Sequence, residues 1–207
     1  MVSKFKRNVA IFLSLIIIGL VVISINFYRD PQRSIPIDKN IIVSPADGKV
    51  ISIDTVQDGE IPFTIKNGEM IYLPELKGII EGNFTMVSIF MGLFDVHVNR
   101  TPISGQVIDI IYIEGGHLPA FGNVLVENER NIVVIDGDIR TVTVQIAGTV
   151  ARRIECYVDE GQILERGDRI GIIKLGSQVV VMYPSESSTT IKIGDNVKAG
   201  ETVIAEI

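Results

Sequence analysis

Gly161-Gln162-Ile163-Leu164-Glu165-Arg166-Gly167-Asp168-Arg169-Ile170 and Gly194-Asp195-Asn196-Val197-Lys198-Ala199-Gly200-Glu201-Thr202-Val203 share one pattern. Each reads glycine, two residues, an apolar residue, two residues, glycine, an acid, one residue and an apolar residue. Two glycines at that spacing bend the chain into a compact hairpin ahead of a returning strand. Around the two copies, short β-branched runs recur at Lys49 to Ile53, Thr85 to Phe90, Gly105 to Ile113, Asn131 to Ile135, Thr141 to Ile146, Arg169 to Ile173 and Val179 to Met182. Turn pairs such as Asp58-Gly59, Asn67-Gly68, Asp136-Gly137 and Gly194-Asp195 separate them. No long stretch after the first thirty residues shows a 3.6-residue period. Residues 41–207 are therefore expected to form a mainly β domain, a sandwich or a barrel.

The opening of the chain is different. Lys4, Lys6 and Arg7 precede an uncharged apolar stretch from Val9 to Phe27. That length is close to the roughly 20 residues that span a hydrocarbon core. A cleaved signal peptide has a shorter apolar region and a small-residue cleavage site. Asn26-Phe27-Tyr28-Arg29-Asp30-Pro31 offers no such site. A buried core helix would show a polar face. Residues 1–28 therefore read as a retained transmembrane or membrane-anchoring helix, with Phe27 and Tyr28 at the lipid interface. Lys4, Lys6 and Arg7 on one side balance Arg29, Arg33 and Lys39 on the other, so charge leaves the orientation open. Residues 29–40, with Pro31 and Pro36, read as a linker, and the helix should stop by Arg29.

The whole chain has 207 residues, enough for one domain with a sizeable core. Its net charge of −6 argues against a nucleic-acid partner. Cys156 is the single cysteine, which excludes an internal disulfide or a multi-cysteine metal site. Its alternating surroundings read as a buried packing position. His97 and His117 have no flanking metal-ligand spacing, so no metal centre is expected. His117, within Gly115-Gly116-His117-Leu118-Pro119, reads as a loop residue.

Three positions carry candidate chemistry. Asp47 lies in the turn Ser44-Pro45-Ala46-Asp47-Gly48, where a rigidly held carboxylate can take or relay a proton. His97 follows Asp95 by two residues, so on a strand the two would share a face. The polar run Asn99-Arg100-Thr101-Pro102 follows, as a site-lining segment would. Ser177 lacks the Gly-x-Ser-x-Gly elbow of many serine hydrolases. It follows Gly176, whose backbone freedom permits the strained geometry in which the Ser177 hydroxyl attacks the Gly176 carbonyl. Such an attack needs a base, for which Asp47 is the candidate.

Taken in order after an apolar segment, Ser44 to Gly48, Phe94 to Pro102 and Gly176-Ser177 resemble the phosphatidylserine decarboxylases, in particular their short, archaeal-type branch. Phe27 to Arg33 is similar to that family's Phe-Phe-Arg-Asp-Pro linker. Glu127-Asn128-Glu129-Arg130-Asn131, after Asn123, is similar to its Asn-Glu-Arg-Asn segment. Ile146-Ala147-Gly148 and Ala151-Arg152-Arg153-Ile154 are similar to its Ala-Gly and Ala-Arg-Arg-Ile region. The resemblance implies autocatalytic cleavage between Gly176 and Ser177, and conversion of Ser177 to a covalent pyruvoyl cofactor. Asp47 would serve the cleavage, and His97 would be the acid or base of decarboxylation. The implied substrate is phosphatidylserine or an archaeal ether analogue, converted through a pyruvoyl Schiff base to the ethanolamine phospholipid. Chains 1–176 and 177–207 would stay associated at the cell membrane, with the catalytic domain on the cytoplasmic side.

Two positions depart from the long-form members of that family. Arg100 stands where they carry a second histidine, and Gln178 where they usually carry threonine. The glycine repeat itself resembles the barrel-sandwich folds of lipoyl and biotinyl carrier domains. Neither Lys174 nor Lys198 has the flanking pattern of a carrier lysine, so the likeness implies a barrel-sandwich-like fold and no carrier role. Two other readings fit part of the sequence. A non-catalytic, membrane-anchored adaptor domain explains the anchor and the repeat but not Asp47, His97 and Gly176-Ser177 together. A pyruvoyl decarboxylase of a soluble amino acid leaves the anchor without a purpose.

Overall fold

A computed structural model describes residues 2–66, 69–79, 81–115, 129–147, 153–174 and 177–207. Helix α1 (Val2–Phe27) takes up the apolar opening. Its stretch Ala10–Phe27 has a mean hydropathy of 2.7 and only 6% of it is buried, so it is not a core helix. It is long and apolar enough to cross a membrane. Pro31, with no amide proton to donate, follows its end.

The domain that follows contains β1 (Ile41–Val43), β2 (Gly48–Val56), β3 (Phe63–Lys66), β4 (Glu69–Tyr72), β5 (Phe84–Met91), β6 (Val98–Arg100), β7 (Gly105–Ile113) and β8 (Arg130–Asp136). It continues with β9 (Arg140–Ile146), β10 (Ile154–Cys156), β11 (Ile163–Leu164), β12 (Arg169–Ile173), β13 (Ser177–Pro184), β14 (Ser188–Thr189), β15 (Asn196–Val197) and β16 (Val203–Glu206). All seven β-branched runs singled out in the sequence lie within these strands.

Eight strands form one curled antiparallel sheet in the order β11-β7-β8-β9-β13-β5-β2-β15. β13 lies inside it, with Val180 opposite Ser88 on β5 and Val144 on β9. Val179, Val181 and Tyr183 enter one core with Ile89, Ile135 and Ile170. Val180 and Met182 enter a second core with Leu73, Leu76 and Phe84. Burial on both faces explains why β13 reads as an unbroken apolar run and not as an alternation. The mainly β expectation holds. The architecture is one large curled sheet closed by the smaller sheets β1-β16-β14 and β10-β12-β6, with the hairpin β3-β4 over its second face.

The glycine repeats supply the two edge strands, β11 against β7 and β15 against β2. Their second glycines meet: a Cβ on Gly200 would lie 3.6 Å from the Gly167 Cα, and Ile35 covers both residues. Both have positive φ, +88° and +75°, which favours glycine. A second repeat accompanies the first. Ser44-Pro45-Ala46-Asp47-Gly48-Lys49-Val50 matches Thr101-Pro102-Ile103-Ser104-Gly105-Gln106-Val107. The Ser44 hydroxyl donates to the Ala46 carbonyl, and the Thr101 hydroxyl to the Ile103 carbonyl, each at 2.7 Å. The Gly200 amide donates to Ser44 and the Gly167 amide to Thr101. The domain is thus a duplication in which each half ties one Ser/Thr-Pro turn to one glycine loop.

Three local expectations need correction. Cys156 is exposed, because it closes an edge strand whose Ile154 takes the buried position. Phe27 is 4% exposed and packs with Val96, Val98 and Ile172, so it is a core contact and not a lipid-interface residue. Residues 29–40 do more than span a gap. Arg33 pairs with Asp47, Asp30 pairs with both Arg100 and Arg169, and the Arg166 guanidinium donates to the Pro36 carbonyl. These bonds strap the segment to the domain.

Candidate active site

β5 ends at Met91, and the loop that follows carries the chain to β6 through His97. The Ile173 amide, at the end of β12, donates to the His97 carbonyl at 3.3 Å. The chain then returns to start β13 at Ser177, opposite Met91. The Ser177 hydroxyl donates back to the Ile173 carbonyl at 3.5 Å, a long bond. One residue, Ile173, therefore links His97 and Ser177, through its amide on one side and its carbonyl on the other. Both residues are fully buried.

The His97 ring is oriented from two sides. Its Nδ1 lies 2.9 Å from the Asp95 carbonyl oxygen, which can only accept, so Nδ1 carries the proton in the neutral ring. Nε2 is left with its lone pair, buried and without a partner among the described residues. Phe27 stacks on the ring with centroids 4.1 Å apart and planes tilted by 32°. Burial lowers the His97 pKa from its ordinary 6.5; the Asp95 carbonyl and the charges of Asp95 and Asp47 oppose that shift, and Arg29 adds to it. His97 is therefore a neutral base at pH 7 with a free Nε2. The shared strand face expected for Asp95 and His97 does not form. Asp95 lies in a bend, its carboxylate accepts from the Gly92 amide, and it reaches His97 through its backbone.

Asp47 is held by the duplicated frame. Its Oδ1 accepts from the Ala199 amide and from the Arg33 guanidinium, both at 2.8 Å. In the other half Ser104 occupies this position, and its hydroxyl accepts from the Arg166 amide at 2.9 Å. A carboxylate thus stands in a place where a hydroxyl satisfies the same loop. No bond joins Asp47 to Ser177 among the described residues; its charge acts on His97. Gly176 and His117 lie outside the described residues.

The two departures have structural roles. Arg100 donates to the Gly167 carbonyl at 2.8 Å and pairs with Asp30 at 2.6 Å, so it holds the strap and does not face His97 as a proton relay. Gln178 projects to the opposite sheet face from Ser177. Its amide donates to Thr64 at 2.6 Å, and Thr64 bonds Ser88 at 2.9 Å. A further buried group went unnoticed in the sequence: Gln145 donates to Asn99 at 2.8 Å and accepts from Asn131 at 2.9 Å. Asn99 in turn contacts the Met91 sulfur at 3.7 Å. The signal was available, since Asn131 and Gln145 interrupt β-branched strands at inward positions.

The pattern of the phosphatidylserine decarboxylase family matches residues 22–205. A protein of Methanocaldococcus jannaschii, provisionally named archaetidylserine decarboxylase proenzyme, is 42% identical over 98% of this chain and 97% of its own. A Methanothermobacter thermautotrophicus protein of the same name is 40% identical over 93% of this chain and 84% of its own. A phosphatidylserine decarboxylase proenzyme of Burkholderia lata is 41% identical over 91% and 80%.

Proposed function

Since the chain belongs to the phosphatidylserine decarboxylase family and is a decarboxylase, we propose that it cuts itself between Gly176 and Ser177 and then acts on a serine phospholipid. The product is the corresponding ethanolamine phospholipid. The observation that carries this reading is the buried His97, with an unpartnered Nε2, tied through Ile173 to a buried serine whose own hydrogen bond is long.

Maturation begins when the Ser177 hydroxyl adds to the Gly176 carbonyl. The peptide bond to the Ser177 nitrogen breaks and an ester to its oxygen forms. Asp47 takes the hydroxyl proton in this reading, reaching it through water or a shift of the turn. Loss of the Ser177 α-proton expels the Gly176 carboxylate and leaves dehydroalanine. Water then releases ammonia and leaves a pyruvoyl group at the head of β13. The site fits that group: Ser177 is fully buried, so the new carbonyl forms away from bulk water.

When formed, the pyruvoyl group supplies a carbonyl that captures the substrate amine and accepts the electrons released with carbon dioxide. The protein supplies the proton economy. His97 Nε2 takes a proton from the incoming ammonium, which must be neutral to react. It returns that proton to the carbon that has lost its carboxylate. Asp95 fixes the tautomer that leaves Nε2 free for both tasks. Helix α1 keeps the domain at the bilayer that holds the substrate, and the domain faces the cytoplasm.

Intact-mass measurement tests the reading. The wild-type protein should give two masses, for 1–176 and for 177–207 with a pyruvoyl head. Ser177→Ala should give one. A Ser177→Ala protein cut as efficiently as wild type would sink the mechanism.

A further inference from the structure

The β3-β4 hairpin is apolar on its outer side. Phe63 pairs with Tyr72 and Ile65 with Met70, and these four side chains are 43%, 56%, 54% and 46% exposed. The inward pair, Thr64 and Ile71, is buried. A hairpin on a water-facing surface normally turns polar residues outward.

Its placement supplies the reason. Leu73 seats the base of the hairpin in the second core with Phe84 and Met86, near the start of β5. Thr64 then meets Ser88 and Gln178. The hairpin thus runs toward the end of the sheet where β5 finishes and β13 begins, which is the end that holds Ser177. The loop after β5 exposes Leu93 and Phe94, at 41% and 71%. Arg29, just past helix α1, donates to the Phe94 carbonyl at 2.6 Å. The foot of the helix, the exposed loop and the hairpin therefore share one end of the molecule, with the site between them.

We propose that this end is a lipid-docking rim. The outer face of the hairpin and the Leu93-Phe94 loop enter the interfacial layer of the bilayer that α1 crosses, and this brings the end of the domain that holds Ser177 and His97 to headgroup level. The occupant is lipid and not protein because the exposed Leu93-Phe94 loop is bonded to Arg29 at the foot of a membrane-length helix. Aromatic side chains such as Tyr72 and Phe94 suit the interfacial layer. The inference rests on the reading of α1 as an anchor and of a phospholipid as substrate.

The chain has no tryptophan, so one introduced tryptophan reports its own position. Tyr72→Trp reports the rim, Phe12→Trp the helix, and Ile163→Trp, on the exposed edge strand β11, the aqueous side. Each full chain is reconstituted into phosphatidylcholine vesicles with plain or brominated acyl chains, and its cleavage is checked on a denaturing gel. Bromine should quench emission at positions 12 and 72 and spare position 163. Emission at 72 should also lie to the blue of that at 163. If position 72 is uncut, Met70→Trp reports the same face.

Quenching at 12 without quenching at 72 or 70 overturns the rim and leaves the anchor standing. No quenching at 12 either removes the anchor reading with it. A blue shift at 72 that depends on protein concentration in detergent and ignores bromine assigns the face to a second copy and overturns the proposal.

Discussion

At the scale of single residues, the proposed role of His97 depends on how little surrounds its Nε2. Burial lowers its pKa, and the sign of the consequence is fixed. Above 6.5 both the folded and the unfolded chain hold a neutral ring. Below it the unfolded chain gains a proton that the folded ring resists, so stability falls with pH until the folded ring also titrates. His97→Gln should flatten that acid-side loss in denaturation midpoints measured from pH 7 down to pH 5. Phe27→Ala opens the ring to water and removes part of the burial that lowers the pKa. The acid limb of the kcat/KM profile should then move upward toward 6.5, at a cost in stability of about 3 kcal/mol. An unmoved limb would mean that Phe27 does not control the ring. The proposed function divides the labour between Asp47 and His97. Asp47→Asn keeps an oxygen for the Ala199 amide yet removes the base, so it should fold and stay uncut on a gel. His97→Ala should be cut in part of the population and release no carbon dioxide. The reverse pattern would exchange their roles.

At the scale of elements, the strands and the apolar helix α1 are legible because their information is local. Period and turn chemistry mark a strand such as β7 within its own residues, and length and apolarity mark α1. The strap was not legible. Asp30 and Arg33 read as linker polarity, since nothing near them in sequence predicts partners at Arg100, Arg169 and Asp47. Phe27 was legible as an aromatic at a helix end, but its place against His97 depends on where the helix meets the domain. Asp47, His97 and Ser177 are candidates through motif order, whereas Asn131 and Gln145 show in the sequence only as polar interruptions of β-branched strands, and their meeting with Asn99 depends on the fold. The buried Phe27 also alters the expected effect of removing helix α1. Deleting residues 1–25 keeps Phe27 and the strap, so the protein should cut itself and retain most activity on a short-chain, water-soluble phosphatidylserine. Its activity on bilayers should fall. Deleting residues 1–28 also removes the stacked ring, and activity should fall on both substrates while cleavage persists. Equal short-chain activity of the two truncations would reduce α1 to a tether.

At the scale of the whole molecule, the duplication bears on how a chain cut as proposed, at the head of β13, would hold together. Residues 177–207 begin with β13, which pairs with β5 on one side and β9 on the other. They continue through β15, which pairs with β2, and β16, which pairs with β1. The second glycine loop, on the small chain, meets the first, on the large chain, at Gly200 and Gly167. Val179, Val181 and Ile204 lie in one core and Val180 and Met182 in the other, so the small chain is built into both. Chains 1–176 and 177–207 should therefore elute together under native conditions and separate only in denaturant. The proposed cut would still change the thermodynamics. Unfolding of the intact Ser177→Ala chain yields one molecule, whereas unfolding of the mature protein yields two. The mature midpoint in urea should therefore rise with protein concentration and that of Ser177→Ala should not. With detergent held fixed, a concentration series on both proteins makes the comparison. A mature midpoint that stays flat while both chains are shown to dissociate would mean that the large chain remains folded alone, against the internal position of β13 in the sheet.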